Sequence, residues 1–324
     1  MSIQLFFDSI KSEHTKRCYT IYLRKYGHQK LAVTNPKLVE SQIIDFIIKM
    51  KQEGKNFFAI SNYVTALISY YKINDVVLNT KKITRFLPER RRTRKDRSYT
   101  HEEIGKMLEI ADERMRGVIL ILASSGVRVG ALPSITLGNL DNNKLTIYEK
   151  FSEEYYTFIT PECKKAVDDY LDMRRRYGEK LTDESVLIRE QFDIRDPFQI
   201  KKPKQISRDA IQWMITDIAK RLGVRNANVP IAHGFRKFFT TQLINSKVNP
   251  EIREMLLGHK IGLAGSYYRP TEKEMLEEYL KGEDNLTIEP ANKLRRKIET
   301  LTIEKSRLER IEEKMSKMEQ MFQK

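Results

Sequence analysis

Two histidines, an arginine at helical spacing from the first of them, and a tyrosine pair fall within residues 231–269 of a 324-residue chain, in the stretch IAHGFRKFFTTQLINSKVNPEIREMLLGHKIGLAGSYYR. His233 and Arg236 are three apart, so on a helix one side chain lies above the other and both can grip one ligand. That ligand is an anion: a guanidinium offers a planar donor fork that keeps its charge, and an imidazole gives or takes a proton near neutral pH. Phe235, Phe238, Phe239 and Leu243 form the apolar stripe that fixes such a helix to a core. Asn249-Pro250 breaks the chain and opens a short helix, which Gly258 stops. His259 follows directly, where a helix end holds a side chain in place, and Tyr267 and Tyr268 come eight and nine residues after it.

Other elements must bring further groups to this stretch. A capping box, Thr100 to Glu103, starts one helix. The next, 115–125, is nearly all apolar and therefore central, and it ends in Ser124-Ser125-Gly126, from which Arg128 emerges. An arginine at the end of a buried helix is costly unless an anion or a carboxylate meets it, so Arg128 is either an ion-pair partner or an oxyanion ligand. The β-rich runs 144–148 and 155–159 read as a hairpin whose acidic turn holds Lys150. A helix follows over 161–177, a third strand is expected at 185–188, and a polar stretch over 194–205 holds Lys201, Lys202 and Lys204. Ser207 caps a further helix in which Trp213 is expected in the core, and another runs from Glu272 to Leu280, halted at Gly282.

His233-Gly-Phe-Arg236, Leu257-Gly258-His259, Tyr268 nine residues beyond that histidine, and Ser125-Gly126-Val127-Arg128 upstream together resemble the signature of the tyrosine recombinases and phage-type integrases of archaeal or bacterial mobile elements. The resemblance implies a site-specific recombinase that cleaves and rejoins duplex DNA through a 3′-phosphotyrosyl intermediate. It implies no metal or cofactor, and a homo-oligomer, a tetramer on paired sites. Arg128 and Arg236 would clamp the phosphate, and His233 and His259 would donate to it or accept the nucleophile's proton. Lys150 would protonate the leaving oxygen. Tyr268 would be the nucleophile, because helix neighbours point about 100° apart and the family spacing selects it over Tyr267. One departure is Ala131, where the family usually has an acid that supports the arginines; another carboxylate can take its place. Two other readings share the motifs: a non-catalytic DNA-binding relative, and a type IB topoisomerase, which usually has lysine where His233 stands. A coiled-coil scaffold held on nucleic acid by charge is a third.

The net charge of +15 points independently to a polyanion such as nucleic acid. No apolar run approaches the roughly 20 residues that span a bilayer, and MSIQLFFDSIKSEH lacks the order of a secretory signal. Cys18 and Cys163 form no metal-type pair and fit a reducing, intracellular setting; the resemblance implies a cytoplasmic, nucleoid-associated protein. The expected class is mainly α with a small β-hairpin or sheet (α+β), in four parts. Residues 1–80 form an all-helical basic bundle, with Ile21 among its apolar positions and Lys30, Lys37 and Lys51 in its loops; the resemblance implies a core-binding, DNA-clamping role for it. Residues 81–98 form a flexible basic strap with nine Lys and Arg against two acids, among them Arg85, Arg90, Arg91, Arg92, Arg94 and Lys95. Residues 99–285 form the catalytic domain. Residues 286–324 form a coiled-coil tail whose seam runs through Leu294, Ile298, Leu301 and Leu308, with Lys305 at one seam position.

Overall fold

The structure, a computed structural model, describes residues 2–91, 96–225, 228–262 and 267–322. The chain divides into two compact units, Met1–Arg94 and Lys95–Lys324.

The first unit is helical: α1 (Ile3–Asp8), α2 (Glu13–Tyr26), α3 (His28–Leu31), α4 (Pro36–Gln52), α5 (Phe57–Ile73) and α6 (Thr80–Thr84). The three long helices start where the side chains of Ser12, Asn35 and Asn56 accept from backbone N–H groups that the helix leaves orphaned. Phe6, Leu23, Val39, Ile43, Ile47, Leu67 and Tyr71 fill the core. Ile83 of α6 lies in that core too, so the stretch expected as a strap from Lys81 begins as a packed helix. Ile21 faces solvent, because α2 turns Leu23 and Tyr26 inward. Lys37 and Lys51 sit on α4 and Lys30 on α3, not in loops.

The second unit begins with α7 (His101–Ile110), where Thr100 and Glu103 make the reciprocal capping bonds. The helix α8 (Glu113–Ser125) is buried along nearly its whole length. A three-stranded antiparallel sheet follows in the order β1 (Leu140–Asp141), β2 (Lys144–Ile147), β3 (Tyr155–Phe158), with Ile147 paired to Tyr155. The third strand is therefore β1 and not 185–188, where Val186 makes only an isolated bridge to Thr136. Next come α9 (Pro161–Arg176), α10 (Pro197–Lys201), α11 (Arg208–Arg221), α12 (His233–Asn245), α13 (Pro250–Leu256), α14 (Glu272–Leu286) and α15 (Pro290–Phe322).

Packing corrects two sequence expectations here. Trp213 is 69% exposed, because α11 turns Ile211, Ile215 and Ile218 inward instead. The helix α14 runs through Gly282, and the missing Cβ at that position makes room for the Leu243 side chain of α12. Beneath the 186–200 segment, Glu179 bridges buried Arg174 at 2.5 Å and buried Arg189 at 2.7 Å. Those arginines donate in turn to the carbonyls of Val186 and Gln199, so a hydrogen-bonded ionic core braces the lysine-bearing segment that follows, although the buried Nε of Arg189 has no partner among the described residues. Helix α15 is tied at its base, where Glu162 accepts from the backbone of Ile288 and Glu289, but Leu294, Ile298, Leu301 and Leu308 are exposed. Among the described residues no helix is long and apolar enough to cross a membrane, and no group of three or more His, Cys, Asp or Glu could hold a metal ion.

Candidate active site

Arg236 is the buried centre of the site. Its neighbours Phe235, Phe238, Phe239 and Leu243 are fully buried, so α12 is held against α8 and the guanidinium is carried inward with it. Nη1 donates to the carbonyl of Gly126 at 2.6 Å, Nη2 donates to the carbonyl of Leu257 at 2.6 Å, and Nη2 lies 2.8 Å from Nε2 of His259. The ends of α8 and α13 and the following histidine are thus tied to one side chain. Burial first, and then Arg128, lower the proton affinity of Arg236, but an arginine stays charged at any physiological pH.

Both helix ends depend on glycine. Gly126 has φ +64 and Gly258 has φ +65, left-handed conformations that cost a side-chain-bearing residue roughly 1–2 kcal/mol. Close packing adds a second constraint, since a Cβ at Gly126 would enter the Phe239 ring and one at Gly258 the Tyr155 ring. The left-handed turn at Gly126 lets its carbonyl face Arg236 and leaves Arg128 two residues on.

His233, Arg236, Lys237, Glu254 and His259 line one cavity. Burial and the cations Lys237, Arg236 and Arg128 hold the His233 imidazole below its usual value, with Asp96 pulling the other way; Asp96 also pairs with Lys237 at 3.2 Å. Arg128 lines a second cavity with Tyr148, Phe151, Tyr155 and Gly258. It is exposed and makes no hydrogen bond or ion pair with a described residue, so its fork is available to an anion.

The remaining candidates are less gathered. Lys150 is exposed on the turn between β2 and β3 at φ +68, with its backbone N–H donating to Glu154 at 2.7 Å. Tyr268 lines neither cavity. Burial first, and then the carboxylates of Glu274, Glu278 and Glu251, push its phenol upward, and the two arginines are not among the charged groups acting on it. Tyr267 is 89% exposed. Arg85, Arg90 and Arg91 are exposed, with Arg90 over the Phe58 ring and Arg91 paired to Glu89. Arg92, Arg94 and Lys95 lie outside the described residues. Lys201, Lys202 and Lys204 are exposed at and just after α10.

Two residues at the site escape motif reading. Ala131 is fully buried, and the carboxylate that meets the Arg236–His259 pair comes from α13: Glu254 lies 2.6 Å from His259 Nδ1. Burial pushes the Glu254 carboxyl up, but the hydrogen bonds from His259 and Arg253 prevail and hold it below the usual range. The spacing of five was the available signal, because one turn plus a helix end brings the two side chains together. Tyr155 is the other. Its hydroxyl is shielded from solvent and makes no hydrogen bond of good geometry, though Arg236 and Arg128 both act on it electrostatically.

The chain is similar to known proteins. The phage integrase family model matches residues 97–274. A tyrosine recombinase XerA of Thermococcus kodakarensis is 24% identical over 292 residues, covering 84% of this chain and 93% of that protein. Among solved structures, the Tn1549 transposon integrase in complex with a circular intermediate DNA superposes with a TM-score of 0.62 at 16% identity, over 86% of this chain and 98% of that one. A λ integrase dimer bound to a COC′ core site superposes with a TM-score of 0.58 at 16% identity, over 84% and 96%.

Proposed function

This chain belongs to the phage integrase family and is a tyrosine-type site-specific recombinase, and we propose that Arg128, Lys150, His233, Arg236, His259 and Tyr268 together cleave and rejoin one strand of duplex DNA. The observation that carries the reading is the shared cavity of His233, Arg236 and His259, with the Arg236 guanidinium held by two helix-end carbonyls. A phosphodiester is anionic and its alkoxide leaves poorly, so cleavage needs cations on the nonbridging oxygens, an in-line nucleophile and an acid for the leaving oxygen. Arg236, held by those carbonyls, and Arg128, with an uncommitted fork from the neighbouring cavity, together supply the cations. His233 and His259 divide the tasks of donating to the phosphate and accepting the phenol's proton. Lys150 protonates the 5′ oxygen. Tyr268 forms the 3′-phosphotyrosyl bond, which conserves the energy of the broken ester for rejoining.

In the free protein Tyr268 faces carboxylates that disfavour its phenolate. It reaches the phosphate once DNA-bound protomers assemble, as a tetramer on paired sites. The first unit and the basic residues Arg85, Arg90 and Arg91 add phosphate contacts as a core-binding part, as do Lys201, Lys202 and Lys204. The exposed seam of α15 pairs with a second copy as a coiled coil. Such a protein works at the nucleoid. The deciding experiment is a suicide DNA substrate resolved on a denaturing gel: wild type and Tyr267→Phe form a covalent adduct, and Tyr268→Phe forms none. An adduct that survives in Tyr268→Phe removes Tyr268 as the nucleophile.

A further inference from the structure

The contacts around His259 decide more than its position. Nη2 of Arg236 carries two hydrogens; one goes to the Leu257 carbonyl and the other points at His259 Nε2, 2.8 Å away. A guanidinium can only donate, so Nε2 presents its lone pair. On the far side of the ring Nδ1 is 2.6 Å from a Glu254 oxygen, and a carboxylate that also accepts from Arg253 at 3.3 Å is an acceptor. The proton of the neutral imidazole is therefore on Nδ1. Glu254 sits two residues before the end of α13, and the carbonyl of its C-cap residue Leu257 also binds Arg236, so one short element sets both the guanidinium and the imidazole.

We propose that Glu254 is a positioning residue that locks His259 as its Nδ1–H tautomer and so makes Nε2 the acceptor of the nucleophile's proton. The proposal rests on the recombinase reading above and assigns a task which that reading leaves shared between two histidines. A phosphate entering the cavity competes for the Nη2 hydrogen that points at His259, and the Nε2 lone pair is released beside the reacting atoms. The phenol proton of Tyr268 passes to Nε2, the phenolate oxygen bonds to phosphorus, and the bond from phosphorus to O5′ breaks with its electron pair, which takes a proton from Lys150. The imidazolium left at His259 is balanced by Glu254, and rejoining returns its proton to the tyrosine oxygen. A carboxylate behind an imidazole is the arrangement that stabilises the protonated base formed in the transition state. Among the described residues no carboxylate is hydrogen-bonded to His233: the charges acting on it are Lys237, Arg236, Arg128 and, without a hydrogen bond, Asp96. Those lining the cavity with His259 are Arg236, His233 and Lys237 of α12, Glu254 of α13, Asp96 and Arg97, with Arg253 of α13 paired to Glu254 and the Tyr155 ring of β3 against Gly258.

The test is single-turnover cleavage by full-length Glu254→Gln, whose amide oxygen still accepts from Nδ1 while its charge is gone. Cleavage falls at least about tenfold, the acid limb of the pH–rate profile moves to lower pH, and DNA affinity holds or rises because a negative charge has left the phosphate site. A substrate with sulfur at the 5′ bridging position, whose thiolate leaves without a proton, restores Lys150→Ala and leaves Glu254→Gln slow. An unchanged rate, an unmoved acid limb or rescue by the sulfur substrate overturns the assignment. Nitrogen NMR of the histidine side chains checks the wild type without any substitution, and an Nε2–H tautomer at His259 overturns it as well. If the wild type forms no covalent adduct, the recombinase reading itself has failed, an outcome these measurements keep separate.

Discussion

Replacing Arg236 by lysine preserves the charge and destroys the geometry. The guanidinium meets the Gly126 carbonyl from Nη1 and the Leu257 carbonyl from Nη2, each at 2.6 Å, with His259 Nε2 at 2.8 Å. A lysine has one nitrogen on an unbranched stem that ends a bond short of the Nη atoms, and it cannot stand where two nitrogens stood. At least one buried carbonyl is left without a donor, a cost of about 1–3 kcal/mol. For a unit of this size each kcal/mol lowers Tm by roughly 2–4 °C, so the expected fall is about 2–12 °C. The phosphate is deprived of a preorganised donor at the same time, which costs on the order of a hundred- to a thousandfold in the cleavage rate. Differential scanning calorimetry reads the first effect and single-turnover adduct formation the second. The salt dependence of DNA binding stays unchanged, since the charge remains. A variant that cleaves within roughly threefold of wild type would show that the fixed fork contributes nothing to the transition state.

The same geometry sets further outcomes. Burial and three cations depress the His233 imidazole, so its contribution to stability is present above about pH 6.5 and is lost as pH falls through the folded value. A bound phosphate reverses that balance, so DNA binding takes up a proton and tightens as pH drops towards this range; calorimetry in buffers of different ionisation heat that shows no uptake, or equal uptake by His233→Gln, contradicts this. Changing Arg85, Arg90 and Arg91 to alanine should flatten the plot of log K against log salt by up to about 0.9 for each phosphate these side chains neutralise, and an unaltered slope takes them off the binding surface. Truncation after Lys293 keeps the buried Leu286 and Ile288 and the Arg116–Glu289 pair. Sedimentation should then show a smaller assembly with single-site cleavage retained, and an oligomer that is the same with and without the tail rules out pairing through α15.

The local pattern of the chain determined a good deal unaided. The i, i+3 relation of His233 and Arg236, the Phe235–Leu243 stripe, the stop at Gly258 and the Thr100 capping box are each set by helix geometry within a few residues, and the folded protein shows them all. What the sequence left open depends on partners distant in the chain. Trp213 faces solvent because three isoleucines on α11 took the buried side. Strand β1 is two residues long, too short to carry a period. Only the packing of α8, α12 and α13 placed one guanidinium between the carbonyls of residues 126 and 257 and put Arg128 within electrostatic reach of it. The Glu254 carboxylate behind His259 and the carboxylates around Tyr268 were decided in the same way. Periodicity and capping are near-neighbour properties that a sequence displays, whereas the partner of a charge is whichever group the tertiary fold carries to it.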